Sequence, residues 1–168
     1  MNIFISMLTA VISTAGFGLF FRIKPNRIPF AALGGLIAWS IKNAAAYAGL
    51  QIFFAAFMAT AALVVYSEIM ARVLKTPANI ILIPSIVPLL PGQQLYYTMQ
   101  SVIEGDLRSA YTFGVPVLQN ILGIGVGILI AMFFCYKIIE IKYKPPPREY
   151  PCGGAFFFYF FFFLNYRP

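Results

Sequence analysis

Histidine is absent from this sequence, and acidic residues are scarce, with five Asp and Glu against twelve Lys and Arg. A chain without histidine and with only two cysteines lacks the usual ligands of a zinc site. Cys135 and Cys152 make a single pair, which is no disulfide framework. The sequence also lacks a nucleophile beside a base and a phosphate-binding glycine loop. These absences predict a protein that is not an enzyme and needs no metal or cofactor.

Charge is scarce as a whole, at 10% of residues, while 61% are hydrophobic. Soluble domains carry about 25% charged and about 45–50% apolar residues, so water is excluded as the main solvent of this surface. The net charge of +7 could indicate nucleic acid binding, but the basic residues stand in short groups between apolar runs. That arrangement is typical of cytoplasmic loops of membrane proteins. We therefore predict the lipid bilayer, and no nucleic acid, as a partner.

The apolar runs predict an all-α, polytopic transmembrane helix bundle of about five spans. A bilayer core of about 30 Å requires a helix of about 20 residues. In the second run, small residues favour close helix packing, and Lys42 is expected to snorkel to the headgroups. An alternative four-span path lays this second run flat at the interface. The predicted spans are residues 3–21, 28–48, 51–70, 80–102, with a proline-broken middle, and 113–136.

The basic residues give this path a direction. Nine of the twelve fall on one side of a five-span chain, and the alternate loops carry only Arg108. Because Lys and Arg are retained on the cytoplasmic side, the N-terminus is predicted outside and the C-terminus in the cytoplasm. We assign residues 1–144 to a membrane domain and 145–168 to a Pro/Phe-rich cytoplasmic tail. Its run 156–164 is too short to span, which leaves an interfacial anchor or an extension without a defined role.

The fourth run contains the most informative motif, because prolines interrupt an apolar stretch between two spans. Irregular backbone at membrane depth is tolerated only where it is buried in protein or lines a wet cavity. A helix that resumes near Gln93 would point free amides and its positive end at a carboxylate. The alternative is that the prolines simply separate two helices in a surface loop. The candidate substrate-binding residues are Pro88, Pro91, Gly92, Gln93, Gln94, Tyr97 and Asn120.

Two further pairs lie at helical spacing. Glu68 and Arg72 are four residues apart with the acid first, the favourable order for a helical ion pair. They are candidates for a gating or coupling pair, with a solvated pair at a helix end as the alternative. Gly123 and Gly127 form a G-x-x-x-G pattern, which indicates close packing against another helix. Asn120 either bonds a neighbouring helix or lines a polar path.

The motif around the break resembles the membrane half of the threonine/serine exporter family (ThrE-like), in particular its small stand-alone subunits. The resemblance extends over residues 3–143. The residues that carry it are Ala71-Arg72, Lys75-Thr76-Pro77, Ile83-Pro84, Pro88-Leu89-Leu90-Pro91-Gly92 and Tyr97.

This resemblance implies an exporter of small carboxylate-bearing solutes, either threonine and serine or a dicarboxylate such as succinate. It further implies location in the bacterial inner membrane, export driven by an ion gradient, and dependence on a second multi-span membrane subunit. A homo-oligomer is a further assembly that we consider. The rival function is a non-transporting scaffold that assembles or stabilises a partner membrane protein.

Overall fold

The computed structural model describes residues 3–142, and every regular element in that part of the chain is helical. Single 3₁₀ turns precede α2 at Pro25–Arg27 and follow α4 at Val87–Leu89. This confirms the predicted all-α bundle. The Pro/Phe-rich tail 145–168 lies outside the described residues, so its role stays a prediction. The α-helices are α1 (Ile3–Phe20), α2 (Ile28–Tyr47), α3 (Ile52–Val73), α4 (Asn79–Ile86), α5 (Gly92–Ile103) and α6 (Leu107–Lys142).

Short turns join successive helices, and the turn between α2 and α3 depends on a glycine. Gly49 has a φ of 77°, a left-handed conformation that other residues adopt at a cost. Its amide donates to the carbonyl of Ala46, and the Leu50 amide donates to the carbonyl of Ala45. These bonds satisfy carbonyls at the end of α2. The chain therefore reverses at once, and α3 packs beside α2.

The last helix begins earlier than the predicted span 113–136. Asp106 Oδ1 accepts hydrogen bonds from the backbone amides of Arg108, at 3.1 Å, and Ser109, at 3.2 Å. These bonds satisfy amides that the first turn of a helix would otherwise leave free. Asp106, which lies outside the predicted span, thus caps the helix, and α6 starts at Leu107.

The core lies between α2, α3, α4 and α6 and is built mainly from small and branched apolar residues. Two further contacts fix α2 in it: the Tyr66 hydroxyl donates to the carbonyl of Phe30 at 2.9 Å, and Ser85 Oγ donates to the carbonyl of Ala31 at 2.7 Å. Small side chains let helices approach closely in a membrane. The core cluster is Ala38, Ala56, Ala59, Leu63, Val64, Leu82, Leu89, Ile124 and Ala131.

Helices α3 and α6 make the most extensive contact of the bundle. A Cβ atom added at Gly123 would lie 2.5 Å from the carbonyl oxygen of Phe53, and one added at Gly127 would lie 3.0 Å from that of Phe57. The G-x-x-x-G pattern therefore lets the two backbones meet, which confirms its predicted packing role.

The outer surface is apolar, with large side chains such as Phe20, Ile103 and Leu118 exposed. Among residues 3–142, two helices, α3 and α6 over Leu107–Cys135, are long and apolar enough to cross a membrane. The chain pieces Asn79–Leu89 and Gly92–Ile103 pass the same test together and bring the number to three if they form one broken span. The protein is thus a membrane protein, while the five-crossing path stays a prediction.

Candidate functional site

The proline-rich stretch bends the chain sharply. Pro84 lies inside α4, Pro88 lies in the 3₁₀ turn, and Pro91 directly precedes α5. Each proline removes an amide donor and obstructs a turn of helix. Leu90 is extended, with φ −65° and ψ 137°, and the two helical pieces meet at 54°. The predicted break of the fourth run is therefore present.

The break frees the backbone carbonyl of Leu89 from helical hydrogen bonding, and two side chains from other helices approach it. Lys42 Nζ, on α2, donates to the Leu89 carbonyl at 2.8 Å, and Asn120 Nδ2, on α6, donates to the same oxygen at 3.4 Å. Lys42 Nζ also donates to Asn120 Oδ1 at 3.3 Å. We call Lys42, Leu89 and Asn120 the break cluster.

The break cluster lies in an apolar setting. Leu89 is fully buried and Asn120 is 2% exposed, whereas Lys42 is only half-buried. Asn120 stands near the middle of the 29-residue apolar stretch of α6. A polar group at that depth is costly unless it is hydrogen-bonded. The cluster satisfies the freed carbonyl of Leu89 and brings a cationic side chain to the break.

The start of α5 forms the open side of the break. A Cβ atom at Gly92 would meet nothing within 4 Å. Within the described residues, the amides of Gln93 and Gln94 have no hydrogen-bond acceptor, as expected for the first turn of a helix without a side-chain cap. Gln94 is half-buried and Gln93 is exposed. These two residues therefore offer donors beside open space.

The remaining predicted site residues lie along the same stretch. Pro88 and Pro91 are half-buried at the bend. Tyr97 is one turn further along α5, and its ring packs against Phe113 of α6 at a centroid distance of 5.6 Å. Pro88, Pro91 and Gly92 thus lie along the bend, Asn120 contacts the Leu89 carbonyl within it, and Tyr97 lies further along α5.

Glu68 and Arg72 lie elsewhere in the bundle. Tyr66 of α3 bonds Phe30 near the start of α2, so Glu68 lies near that end, whereas Lys42 lies towards the other end of α2. Glu68 is half-buried and Arg72 is exposed, and among residues 3–142 no salt bridge joins them. The structure does not bring this pair to the break.

Lys42 is the residue that sequence reasoning misassigned. The expectation that it snorkels to the headgroups is wrong, because its ammonium turns inward to Leu89 and Asn120. Its neighbours on the helix explain the difference: Ala38 and Ala45, four residues before Lys42 and three after it, are both buried. At helical period these three residues share one face, so the buried face of α2 carries the lysine.

An apolar helix bundle with a broken helix and a polar cluster at the break is an arrangement that membrane transport proteins use. The chain matches the family described as Threonine/Serine exporter, ThrE, over residues 6–134, and it belongs to that family. The match makes the protein a transport subunit of the exporter type and confirms the resemblance found in the sequence. No solved structure matches the chain.

Proposed function

We propose that this protein is one subunit of a two-component exporter of small carboxylate-bearing solutes, threonine and serine or a dicarboxylate such as succinate. The observation that carries the proposal is the hydrogen-bonded break cluster inside an apolar bundle. Membrane transporters use such interrupted helices to bind solutes, because unwound backbone and helix ends supply polar groups there. Export is driven by an ion gradient, and the bacterial inner membrane is the location.

In this proposal the solute binds between the start of α5 and the break cluster. The free amides of Gln93 and Gln94 and the positive end of α5 favour a carboxylate. Asn120 closes the opposite side, and Tyr97 lies on the path from the α5 side. Pro88 and Pro91 shape the bend, and Gly92 adds no side chain beside it.

The second subunit completes the site. Gln93 and Gly92 are exposed on the surface of this chain, so the proposed site has one open side. A second multi-span membrane subunit that packs on α5 would enclose it. The domain of residues 1–144 crosses the membrane five times in this arrangement, with the N-terminus outside and the tail 145–168 in the cytoplasm. Glu68 and Arg72 then stand at the cytoplasmic end, where they act as a gate or coupling pair.

A substitution at Gly92 tests this assignment. Gly92→Leu fills space without a clash, since nothing lies within 4 Å of its Cβ position. Gly16→Leu is the matched control, because Gly16 of α1 is equally free of neighbours and lies outside the proposed site. In cells that express both subunits, we expect Gly92→Leu to reduce export of threonine or succinate about tenfold, the effect of about 1.4 kcal/mol lost at a binding site.

The result is interpreted against the amount of protein in the membrane. Gly16→Leu should export at the wild-type rate, and both variants should accumulate normally. Wild-type export by Gly92→Leu would contradict the site. If substitutions at the exposed Gln93 lowered the abundance of the complex in proportion to export, the scaffold function would be favoured instead.

A further inference from the structure

Lys42 brings a positive charge to the break, and no role has been assigned to that charge. Its two hydrogen-bond acceptors, the Leu89 carbonyl and Asn120 Oδ1, are both neutral. Among residues 3–142 no carboxylate forms a salt bridge with it. An ammonium in an apolar bundle is normally paired with an opposite charge or faces a wet cavity. The cluster therefore supplies hydrogen bonds but leaves the charge uncompensated.

Satisfying the Leu89 carbonyl does not by itself require a cation. Asn120 Nδ2 already donates to this oxygen at 3.4 Å, and a neutral amide on α2 would serve the same purpose. A lysine at this position costs more desolvation than an amide does. Hydrogen bonding to the Leu89 carbonyl therefore does not explain why residue 42 carries a positive charge.

Lys42 also retains a free donor. An ammonium has three N–H donors, and its two hydrogen bonds use two of them. The side chain is half-buried rather than fully enclosed. Asn120 and the Leu89 carbonyl hold Nζ at the break. A ligand therefore loses less binding free energy to immobilising the lysine side chain.

We propose that the Lys42 ammonium, held by Asn120 and the Leu89 carbonyl, is the counter-ion of the substrate carboxylate. This inference rests on the proposed function and adds a residue to it. The carboxylate takes the third donor of Lys42 and supplies the missing negative charge. Binding then replaces an uncompensated cation by an ion pair, and charge-assisted hydrogen bonds of this kind are about twice as strong as neutral ones.

The inference makes a specific prediction about solute chemistry. Lys42 should distinguish a carboxylate from the corresponding uncharged amide, because only the carboxylate completes the ion pair. If Lys42 had only a structural role, its replacement would weaken binding of both solutes equally. The comparison of threonine with threoninamide therefore separates the two roles.

The test uses membrane vesicles that contain the full chain together with its second subunit. Binding of threonine, succinate and threoninamide is measured for the wild type, Lys42→Gln, Lys42→Arg and Lys24→Gln. Lys42→Gln keeps an amide donor for the Leu89 carbonyl, and Lys42→Arg keeps the charge. Lys24→Gln is the control, because Lys24 is exposed in the turn after α1. Membrane abundance and thermal unfolding are recorded for every variant.

We expect Lys42→Gln to weaken binding of the carboxylate solute that the wild type binds by about tenfold to a hundredfold, the range of a lost charged hydrogen bond. Binding of threoninamide should stay unchanged, Lys42→Arg should keep most of the affinity, and Lys24→Gln should match the wild type. Equal losses for threonine and threoninamide, or full affinity in Lys42→Gln, would overturn the inference alone. A wild-type complex that binds none of the carboxylate solutes would overturn the proposed function, and the inference with it.

Discussion

The two halves of α6 have different structural roles. From Gly123 to Ala131 the helix packs on α3 so closely that the glycines lie against the backbone at Phe53 and Phe57. From Leu107 to Asn120 it lies against α5, begins at a carboxylate cap, and contributes an amide to the break cluster. The second half holds the bundle together, and the first half positions polar groups. Substitutions in the two halves should therefore have different consequences.

The largest effect on stability is expected at Gly123. Gly123→Leu would drive a side chain into the Phe53 carbonyl and the Ala56 methyl, which lie 2.5 Å and 3.0 Å from the added Cβ. Overpacking of this kind costs about 1–3 kcal/mol, and more where backbone is in the way. We expect a clear loss of folded protein, measured by membrane abundance and by thermal unfolding in detergent.

Gly125→Leu is the control for this comparison. Gly125 lies on the same helix two residues further on, and nothing lies within 4 Å of its Cβ position. This variant should unfold at the wild-type temperature. Equal stability of Gly123→Leu and Gly125→Leu would contradict the close contact between α3 and α6 at Gly123.

A smaller loss of stability is expected at Asn120. Asn120→Leu removes the amide that donates to the Leu89 carbonyl and accepts from Lys42. Hydrogen bonds between membrane helices contribute about 0.6 kcal/mol on average and up to about 1.7, so we expect a loss of about 1 kcal/mol in unfolding measurements. Gln119→Leu, at the exposed neighbouring position, should have almost no effect. An equally large loss of stability in Gln119→Leu would contradict the role of the Asn120 hydrogen bonds.

The smallest effect is expected at the start of α6. The Ser109 hydroxyl, with the Ser109 and Arg108 amides, lowers the pKa of Asp106 below its ordinary value. Because the folded-state pKa is lowered, the ionised carboxylate stabilises the fold above the ordinary pKa, and this contribution is lost as the pH falls through the lower, folded-state pKa. Asp106→Ala should therefore unfold at a slightly lower temperature than the wild type at neutral pH. In acid, the two proteins should unfold at the same temperature.

The prediction is checked by measuring the unfolding temperature of both proteins from neutral pH down through the lowered pKa of Asp106. Glu104→Ala, in the same turn, serves as control, because within residues 3–142 the Glu104 side chain bonds Gln100 of the preceding helix and caps no amide. A difference between Asp106→Ala and the wild type that does not change with pH would contradict the cap.

Much of the fold was predictable because its signals are local. Prolines and left-handed turns end the helices where the apolar runs end, so most predicted bounds differ from the observed ones by a few residues. The break at Pro84, Pro88 and Pro91 follows from the missing amide donors of proline. The start of α6 was missed because Asp106 acts through a hydrogen-bonded cap, which residue types alone do not distinguish from a polar turn.

The centre of the candidate site depended on contacts between distant parts of the chain. Asn120 was recognised as a polar residue within a span, but its partner, the Leu89 carbonyl, is a backbone atom without a side-chain signature. Lys42 was assigned to the headgroups because it lies near the end of α2. Only the packing of α2 against the bent segment places its ammonium at the break.

A solute that binds at the break must reach it from water, and chemical labelling at Gly92 tests this most directly. In a chain with Cys135→Ser and Cys152→Ser, Gly92→Cys is treated with a membrane-impermeant maleimide, and Arg108→Cys, exposed at the start of α6, is the reference. In the two-subunit complex, we predict that both positions react and that added threonine or succinate slows only the reaction at position 92. Labelling at Arg108→Cys with no reaction at Gly92→Cys, or a reaction there that neither solute slows, would contradict the account.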